Sequence, residues 1–321
     1  MLENFPKDHG QEREDLILQF VKDGKSEHTF TKISHSENGH TIDLLVFNDA
    51  LKIDGVRINV TAKTQQQISD LLDCILPTAK IYDLIWHYCP NKLTPQPRQI
   101  TSITTAMIEH STKVDAEIDK LGIKGQFVCN YGKSWCIDNW LVNKPNRAVN
   151  YGWAFNGGTC KGIRGEVCAS GLKDPKTSVP WRVIQGRSTV HTPDHVDYSQ
   201  ICLCVSKKCW VDGFERSIID VLQDPVLSKL INHDGVLKAL RQPGVEQLGV
   251  LVSENDFYLS LAPEDVKETP VSIPPADLKS EISSVPISLN PSFSNPQSLT
   301  KKSNNIFELI LSIISALFNR K

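Results

Sequence analysis

Residues 29–60 read TFTKISHSENGHTIDLLVFNDALKIDGVRINV, and this stretch predicts how the chain begins to fold. It is rich in Thr, Ile and Val, which favour strands, and Asn38-Gly39 and Asp54-Gly55 interrupt its apolar runs. Both central residues of a type I′ turn need a positive φ, so Asn-Gly and Asp-Gly are strong hairpin signals. The stretch therefore predicts two β-hairpins near the N-terminus.

Helical periodicity follows these hairpins. Apolar residues recur at helical spacing in 68–75 and 81–88, and each segment is stopped by a proline, which lacks an N–H donor. A third helix is predicted over 102–121, with Gly122 as its left-handed C-cap. These segments predict three helices in the centre of the fold.

The remaining sequence indicates short strands again. Residues 126–211 are aromatic and Gly-rich, and 157–180 is predicted to be a surface loop because of its many glycines and prolines. Short helices are predicted at 217–222 and 226–231, followed by a further strand at 249–261. The predicted fold class is α+β, with N-terminal β-hairpins, central helices, then short antiparallel strands around a Gly/aromatic-rich region.

The chain is expected to have three parts. Residues 1–262 form the globular α+β domain, and 263–304 form a Pro/Ser-rich flexible linker that has too few periodic apolar residues to fold. Residues 305–321 form an amphipathic C-terminal helix, whose apolar run is too short to span a bilayer. This helix either packs on its own domain or binds an unknown protein partner or a membrane surface.

Composition narrows the functional classes. The net charge is −2, so no nucleic acid is expected as a partner. The polar N-terminus does not resemble a signal peptide, and the nine scattered cysteines suit a reducing compartment. The predicted localisation is cytoplasmic, without a transmembrane helix, and export by a signal-less route stays open.

The densest cluster of ionisable residues is 191–199, HTPDHVDYS, between the Gly-rich region and an apolar run. If this segment is extended, His191, His195 and Asp197 share one face and could bind a divalent metal such as zinc. The same residue types could instead act as an acid/base pair. Ser188, His191 and Asp197 are also similar to the motif of zinc D,D-carboxypeptidases, although the spacing is one residue short and no second ligand segment follows.

Cysteine patterns offer two alternatives. A Cys/His nucleophile is conceivable, but no cysteine stands in a recognised strand-to-helix setting; the candidates are Cys129, Cys136 and Cys160. Cys202-x-Cys204 with Cys209 invites a zinc interpretation, yet alternating cysteines on an apolar strand are more typical of a core. The polar segment 191–199 can equally be a structural loop with a His hydrogen-bonded to an Asp.

Three motifs occur in a fixed order: LPTAKIYDLIW at 76–86, YGW at 151–153 and VDYS at 196–199. Together they resemble an uncharacterised bacterial family with LPTxKxxDLIW, YGW and VDYS motifs, which has no known function. The chain departs from the family pattern where a basic run is reduced to Lys133 and where Ala154 and Gln200 replace histidines. If those histidines are catalytic in relatives, the resemblance implies an impaired member.

These observations lead to one functional hypothesis, a hydrolase-like domain acting on a cell-wall or other polymeric substrate. The predicted catalytic residues are His191, Asp197, Tyr198 and Lys133. The predicted substrate-binding residues are Tyr151, Trp153 and Ser199. The predicted metal ligands, for an otherwise unknown cofactor, are His191, His195 and Asp197. The alternative is a non-catalytic binding or delivery module that its C-terminal helix localises.

Overall fold

The computed structural model describes residues 5–97 and 102–251 of the chain. Its α-helices are α1 (Gln11–Lys22), α2 (Ala62–Leu71), α3 (Ala79–Tyr88), α4 (Ile103–Leu121), α5 (Ile218–Gln223) and α6 (Ser228–Ile231). Its strands are β1 (Ser26–Glu27), β2 (Phe30–Glu37), β3 (His40–Phe47), β4 (Lys52–Ile53), β5 (Val56–Arg57), β6 (Cys74–Ile75), β7 (Asn91–Lys92), β8 (Val128–Cys129), β9 (Lys133–Cys136), β10 (Val149–Asn156), β11 (Glu166–Val167), β12 (Trp181–Ser188), β13 (Val205–Val211) and β14 (Phe214–Ser217). The predicted linker and tail helix lie outside the described residues, as does most of the strand predicted at 249–261.

Both predicted hairpins are present. β2 and β3 are joined by Asn38 and Gly39, whose φ angles are 53° and 82°. β4 and β5 are joined by Asp54 and Gly55, with φ angles of 53° and 74°. Positive φ at both central residues is the requirement of a type I′ turn, so local turn chemistry determines these two pairings.

The larger of the two main sheets is antiparallel and has the order β14-β13-β3-β2, with β6 also paired to β13. β3 is an inner strand, and its residues Ile42, Leu44 and Val46 are at most 1% exposed. β13 pairs with β3 from Val205 opposite Val46 to Val211 opposite Ile42. The N-terminal hairpin is therefore completed by a strand from the C-terminal half of the domain, as an α+β fold permits.

The second main sheet has the order β11-β12-β10-β9 and is also antiparallel. The register between β10 and β12 shifts between Asn150 and Gly152, which is a bulge. Trp153 follows with a φ of 61°, an unusual conformation for an aromatic residue. The segment predicted as a surface loop, 157–180, contains β11, whose pairing with β12 anchors it to this sheet.

The predicted central helices are confirmed. Thr61 and Thr78 cap α2 and α3 through their hydroxyl groups, which accept N–H bonds from Thr64 and Ile81. Gly122 ends α4 in the left-handed conformation, with a φ of 68°. Within residues 5–97 and 102–251, no helix is long and apolar enough to cross a membrane.

Three local expectations need correction. The N-terminal helix α1 precedes the strands and was not predicted. The segment 191–199 is a turn region, so its residues do not alternate as on a strand. The apolar run at 201–204 lies before β13 and carries only bridge-type pairing at Ile201; Cys202 and Cys204 are nonetheless fully buried as core residues.

Candidate functional site

The candidate site is formed where the segment 189–200 lies beside β9. The Lys133 N–H donates to the Ser199 carbonyl (2.7 Å), and the Ile201 N–H donates to the Lys133 carbonyl (3.0 Å). These bonds hold the VDYS motif against the first residue of β9. The sequence motif and the lysine, which are 64 residues apart, are therefore neighbours in the fold.

Lys133 and Asp197 form an ion pair, with 2.8 Å between Nζ and Oδ2. The second carboxylate oxygen accepts bonds from the Ser199 N–H (2.8 Å) and hydroxyl (2.6 Å). Burial alone would raise the pKa of the Asp197 carboxyl, but Lys133 and Ser199 together hold that pKa below its usual value. Asp197 is thus an ionised carboxylate that is fixed by three hydrogen bonds.

Two neighbouring side chains, to which the sequence assigned no role, fix the backbone of Asp197. The Asn59 amide donates to the Asp197 carbonyl (2.7 Å). The Gln200 amide oxygen accepts the Asp197 N–H (2.7 Å). Gln200, which the motif resemblance had marked as a departure, has a positioning role here. Asn59 has no local sequence signal, because it lies 138 residues before its partner.

His191 and His195 stack on each other, with ring centroids 4.0 Å apart and planes 6° apart. A β-turn produces this arrangement: the His195 N–H donates to the Thr192 carbonyl (3.1 Å), with Pro193 at the second turn position. The Trp135 ring is nearly perpendicular to both imidazoles, at centroid distances of 6.1 and 6.4 Å. The turn therefore places the stacked pair of imidazoles next to Trp135.

Both imidazoles are biased towards the neutral form. The pKa of His191 is lowered to about 4, mainly by burial and also by the neighbouring His195 and the Lys133 ammonium, against the opposing effect of Asp197. The pKa of His195 is lowered mainly by burial as well. Near neutral pH these rings carry a nitrogen lone pair that can accept a proton or a hydrogen bond.

The predicted metal ligands do not form a metal site. Within residues 5–97 and 102–251, no group of three His, Cys, Asp or Glu side chains is arranged to hold a metal ion. The reason is local: His191 and His195 lie on a turn, and the Asp197 carboxylate is already bound to Lys133 and Ser199. The expectation of a divalent metal such as zinc at His191, His195 and Asp197 has no support in this geometry.

Tyr198 and Trp153 form a small buried cluster beside the ion pair. Their ring centroids are 6.3 Å apart, and Lys133 Nζ lies 5.6 Å from the centroid of Trp153. The side chains are only 5% and 3% exposed. The bulge and the positive φ explain why Trp153 points to the lysine side of the sheet. Tyr198 and Trp153 pack behind Lys133 and do not present an open surface.

The other predicted substrate-binding residues have different surroundings. Ser199 is fully buried, and its hydroxyl donates a hydrogen bond to the Asp197 carboxylate. Tyr151 points into the core, where its hydroxyl donates to Asp83 (2.7 Å) and accepts the Ala169 N–H (2.7 Å). Burial raises the pKa of Asp83 to about 6. The structure therefore gathers Lys133, His191, His195 and Asp197, and assigns Tyr151 to a separate buried network.

No family model matches the chain, and neither a curated protein nor a solved structure matches it. The resemblance to the uncharacterised bacterial family therefore stays a prediction from the sequence motifs. Any functional proposal has to be argued from the geometry of Lys133, Asp197 and the two histidines.

Proposed function

We propose that the chain is a hydrolase whose site is built from His191, Lys133 and Asp197. The observation that carries the proposal is a partly exposed imidazole with a lowered pKa, close to an ammonium group held in a fixed position. A neutral imidazole can take a proton from an attacking water molecule. A fixed cation can stabilise the negative charge that develops on a carbonyl or phosphoryl oxygen.

In this proposal His191 is the general base and Lys133 stabilises the developing oxyanion. Asp197 is a positioning residue, because its carboxylate fixes the Lys133 ammonium and, within the described residues, makes no hydrogen bond to either imidazole. The aromatic residues predicted to bind substrate, Tyr151 and Trp153, are buried. A cell-wall or other polymer thus remains a prediction from the sequence, and the proposal is limited to the reaction type.

The test uses the purified full chain and three chromogenic probes: p-nitrophenyl acetate, alanine p-nitroanilide and p-nitrophenyl β-glucoside. At least one probe should be hydrolysed above the buffer rate. His191→Gln should lower that rate roughly 100-fold or more, the usual contribution of a general base. His87→Gln is the matched control, since His87 is another half-buried histidine with a lowered pKa, at the end of α3.

The pH profile adds a second readout. If His191 must be neutral, the rate should stay level down to about pH 5 and fall to half near pH 4, the pKa of that imidazole. An inflection near pH 6.5 would point to an exposed histidine elsewhere. The proposal fails if none of the three probes is turned over, or if His191→Gln retains the wild-type rate.

A second candidate, a non-catalytic binding or delivery module, is favoured by one observation. Lys133 is bonded to the 197–201 segment through its N–H, its carbonyl and its ammonium. Such a set of bonds would also serve purely to hold the loop in place. In that case Lys133→Met would lower the free energy of unfolding while His191→Gln would change neither stability nor any hydrolytic rate.

A further inference from the structure

A cavity lies away from the histidine site. It has a volume of about 470 Å³, and its walls come from the β1, β4 and β5 region, from the last turns of α4 and from residues 123–128. This volume is within the usual range of small-molecule sites, about 300–1,000 Å³. Neither histidine of the candidate site lines it, nor do Lys133 or Asp197.

The inner wall of this cavity is a neutral charge network. Arg57 is 1% exposed and donates two bonds to the Asp49 carboxylate, at 2.8 and 2.6 Å. Its third nitrogen donates to Asp115 (2.6 Å), and Lys52 pairs with Asp49 (2.8 Å). Two cations thus meet two carboxylates. This network fixes the shape of the wall and leaves no net charge on it.

The charges that remain on the cavity wall are Glu27, Asp119 and Lys124, which sum to one negative charge. Asp119 lies one helical turn after Asp115, so both carboxylates are on the same face of α4. They stand near the C-terminal end of that helix, where the helix dipole adds negative potential. Among the described residues, no side chain bonds to the Asp119 carboxylate. The cavity therefore favours a positively charged group.

The rest of the lining combines polar side chains, those of Thr29, Asn48 and Gln126, with apolar and aromatic ones. Ile118, Ile123 and Val128 contribute hydrocarbon surface. The His28 ring lies against Phe47, with centroids 5.0 Å apart and planes tilted by 30°, and burial lowers the pKa of its imidazole to about 4, so the ring is uncharged near neutral pH. The buried His28 Nδ1 atom has no hydrogen-bond partner among the described residues. The apolar and aromatic part of the wall accommodates the hydrocarbon part of an organic ligand and suits a bare metal ion poorly.

We propose that this cavity binds a small organic amine, with its ammonium facing Asp119 and Glu27 and its hydrocarbon part against Ile118 and Ile123. The amine is either a free molecule or the side chain of a lysine in a peptide, because both present the same group. This inference does not depend on the hydrolase proposal, and its test does not use catalysis.

The experiment is calorimetric titration of the full chain with cadaverine, with Nα-acetyl-lysine methylamide and with 1,5-pentanediol. Cadaverine and pentanediol have the same five-carbon chain, so they differ only in the charged groups. Asp119→Asn removes the carboxylate that has no described partner, and Asp15→Asn on the exposed face of α1 is the matched control.

We expect at least one amine to bind and pentanediol not to bind. Asp119→Asn should weaken amine binding about tenfold, whereas Asp15→Asn should leave it unchanged. Binding of cadaverine alone would identify a free amine as the ligand, and binding of the lysine derivative alone would identify a peptide side chain. The proposal is overturned if neither amine binds, if pentanediol binds equally well, or if Asp119→Asn binds like the wild type.

Discussion

Asn150 is a fully buried residue in the middle of β10, and neither its amide nitrogen nor its amide oxygen has a partner among the described residues. It lies opposite Trp135, the residue that supports the two stacked histidines. A buried amide without partners costs about 1–3 kcal/mol of stability. Asn150→Leu keeps a similar shape and removes that cost.

We expect Asn150→Leu to raise the melting temperature, by the equivalent of about 1–2 kcal/mol, as measured by calorimetry. Asn130→Leu is the contrasting variant, because the Asn130 amide donates to the Leu93 carbonyl (2.6 Å) and the Ala154 carbonyl (2.9 Å). That substitution should lower the melting temperature. A lower melting temperature for Asn150→Leu as well would show that the Asn150 amide is satisfied in solution.

At the scale of an element, the bulge in β10 depends on a glycine. Gly152 has a φ of 142°, and a Cβ atom there would lie 2.8 Å from the ring and hydroxyl of Tyr82. That hydroxyl accepts the Trp153 N–H (3.1 Å) and donates to the Gly132 carbonyl (2.7 Å). A methyl group at position 152 would therefore separate α3 from the strand that carries Trp153.

We expect Gly152→Ala to lower the free energy of unfolding by about 2–4 kcal/mol, as measured by urea denaturation. Gly213→Ala is the matched control: its φ is 82°, but a Cβ atom there would meet nothing within 4 Å. It should cost about 1 kcal/mol from backbone strain alone. Equal costs for the two variants would rule out the steric explanation.

The elements that the sequence predicted correctly are those whose signals are local. Asn38-Gly39 determines its own hairpin, and Gly122 ends its own helix, whatever lies around them. α1 was missed because its buried face includes two charged residues, Arg13 and Glu14, that pair with each other. Such a face does not show an apolar period, since the pairing that makes burial tolerable is visible only in the fold.

The candidate site was predictable only in part for the same reason. Its polar residues at 191–199 were visible as a cluster, and Lys133 was suggested by the motif resemblance. The metal hypothesis required 191–199 to be extended, and the turn at Pro193 removes that condition. The partner of Asp197 is set by the packing of β9, and no spacing rule in the sequence encodes that contact.

At the scale of the whole molecule, buried histidines should make stability depend on pH. The pKa values of His28 and His191 are about 4, below the ordinary 6.5, so the unfolded chain binds more protons between these values. Stability is then lost as the pH falls through this window, by on the order of 1 kcal/mol per histidine after allowing for partial exposure. Asp83 has the opposite effect on stability. Burial raises its pKa from 3.8 to about 6, so between these pH values the folded state binds more protons and stability rises as the pH falls.

We expect the melting temperature to be level above pH 7 and to fall between pH 6.5 and 4, because the histidines with lowered pKa values outnumber Asp83, whose raised pKa opposes them. His35, His87, His195 and His233 also have lowered pKa values. Asp83→Asn should steepen the fall between pH 6 and 4, since it removes the opposing contribution. A melting temperature that is constant from pH 7 to pH 4 would contradict the burial of these imidazoles.

The pairing of β3 with β13 has a consequence for how the protein is made. Val46 pairs with Val205, which lies about 160 residues later in the chain. Most of the domain must therefore leave the ribosome before this sheet can form. Until then the N-terminal hairpin carries an apolar strand with an open edge, the kind of surface that chaperones cover. The partly synthesised chain is therefore more prone to aggregation than the folded domain.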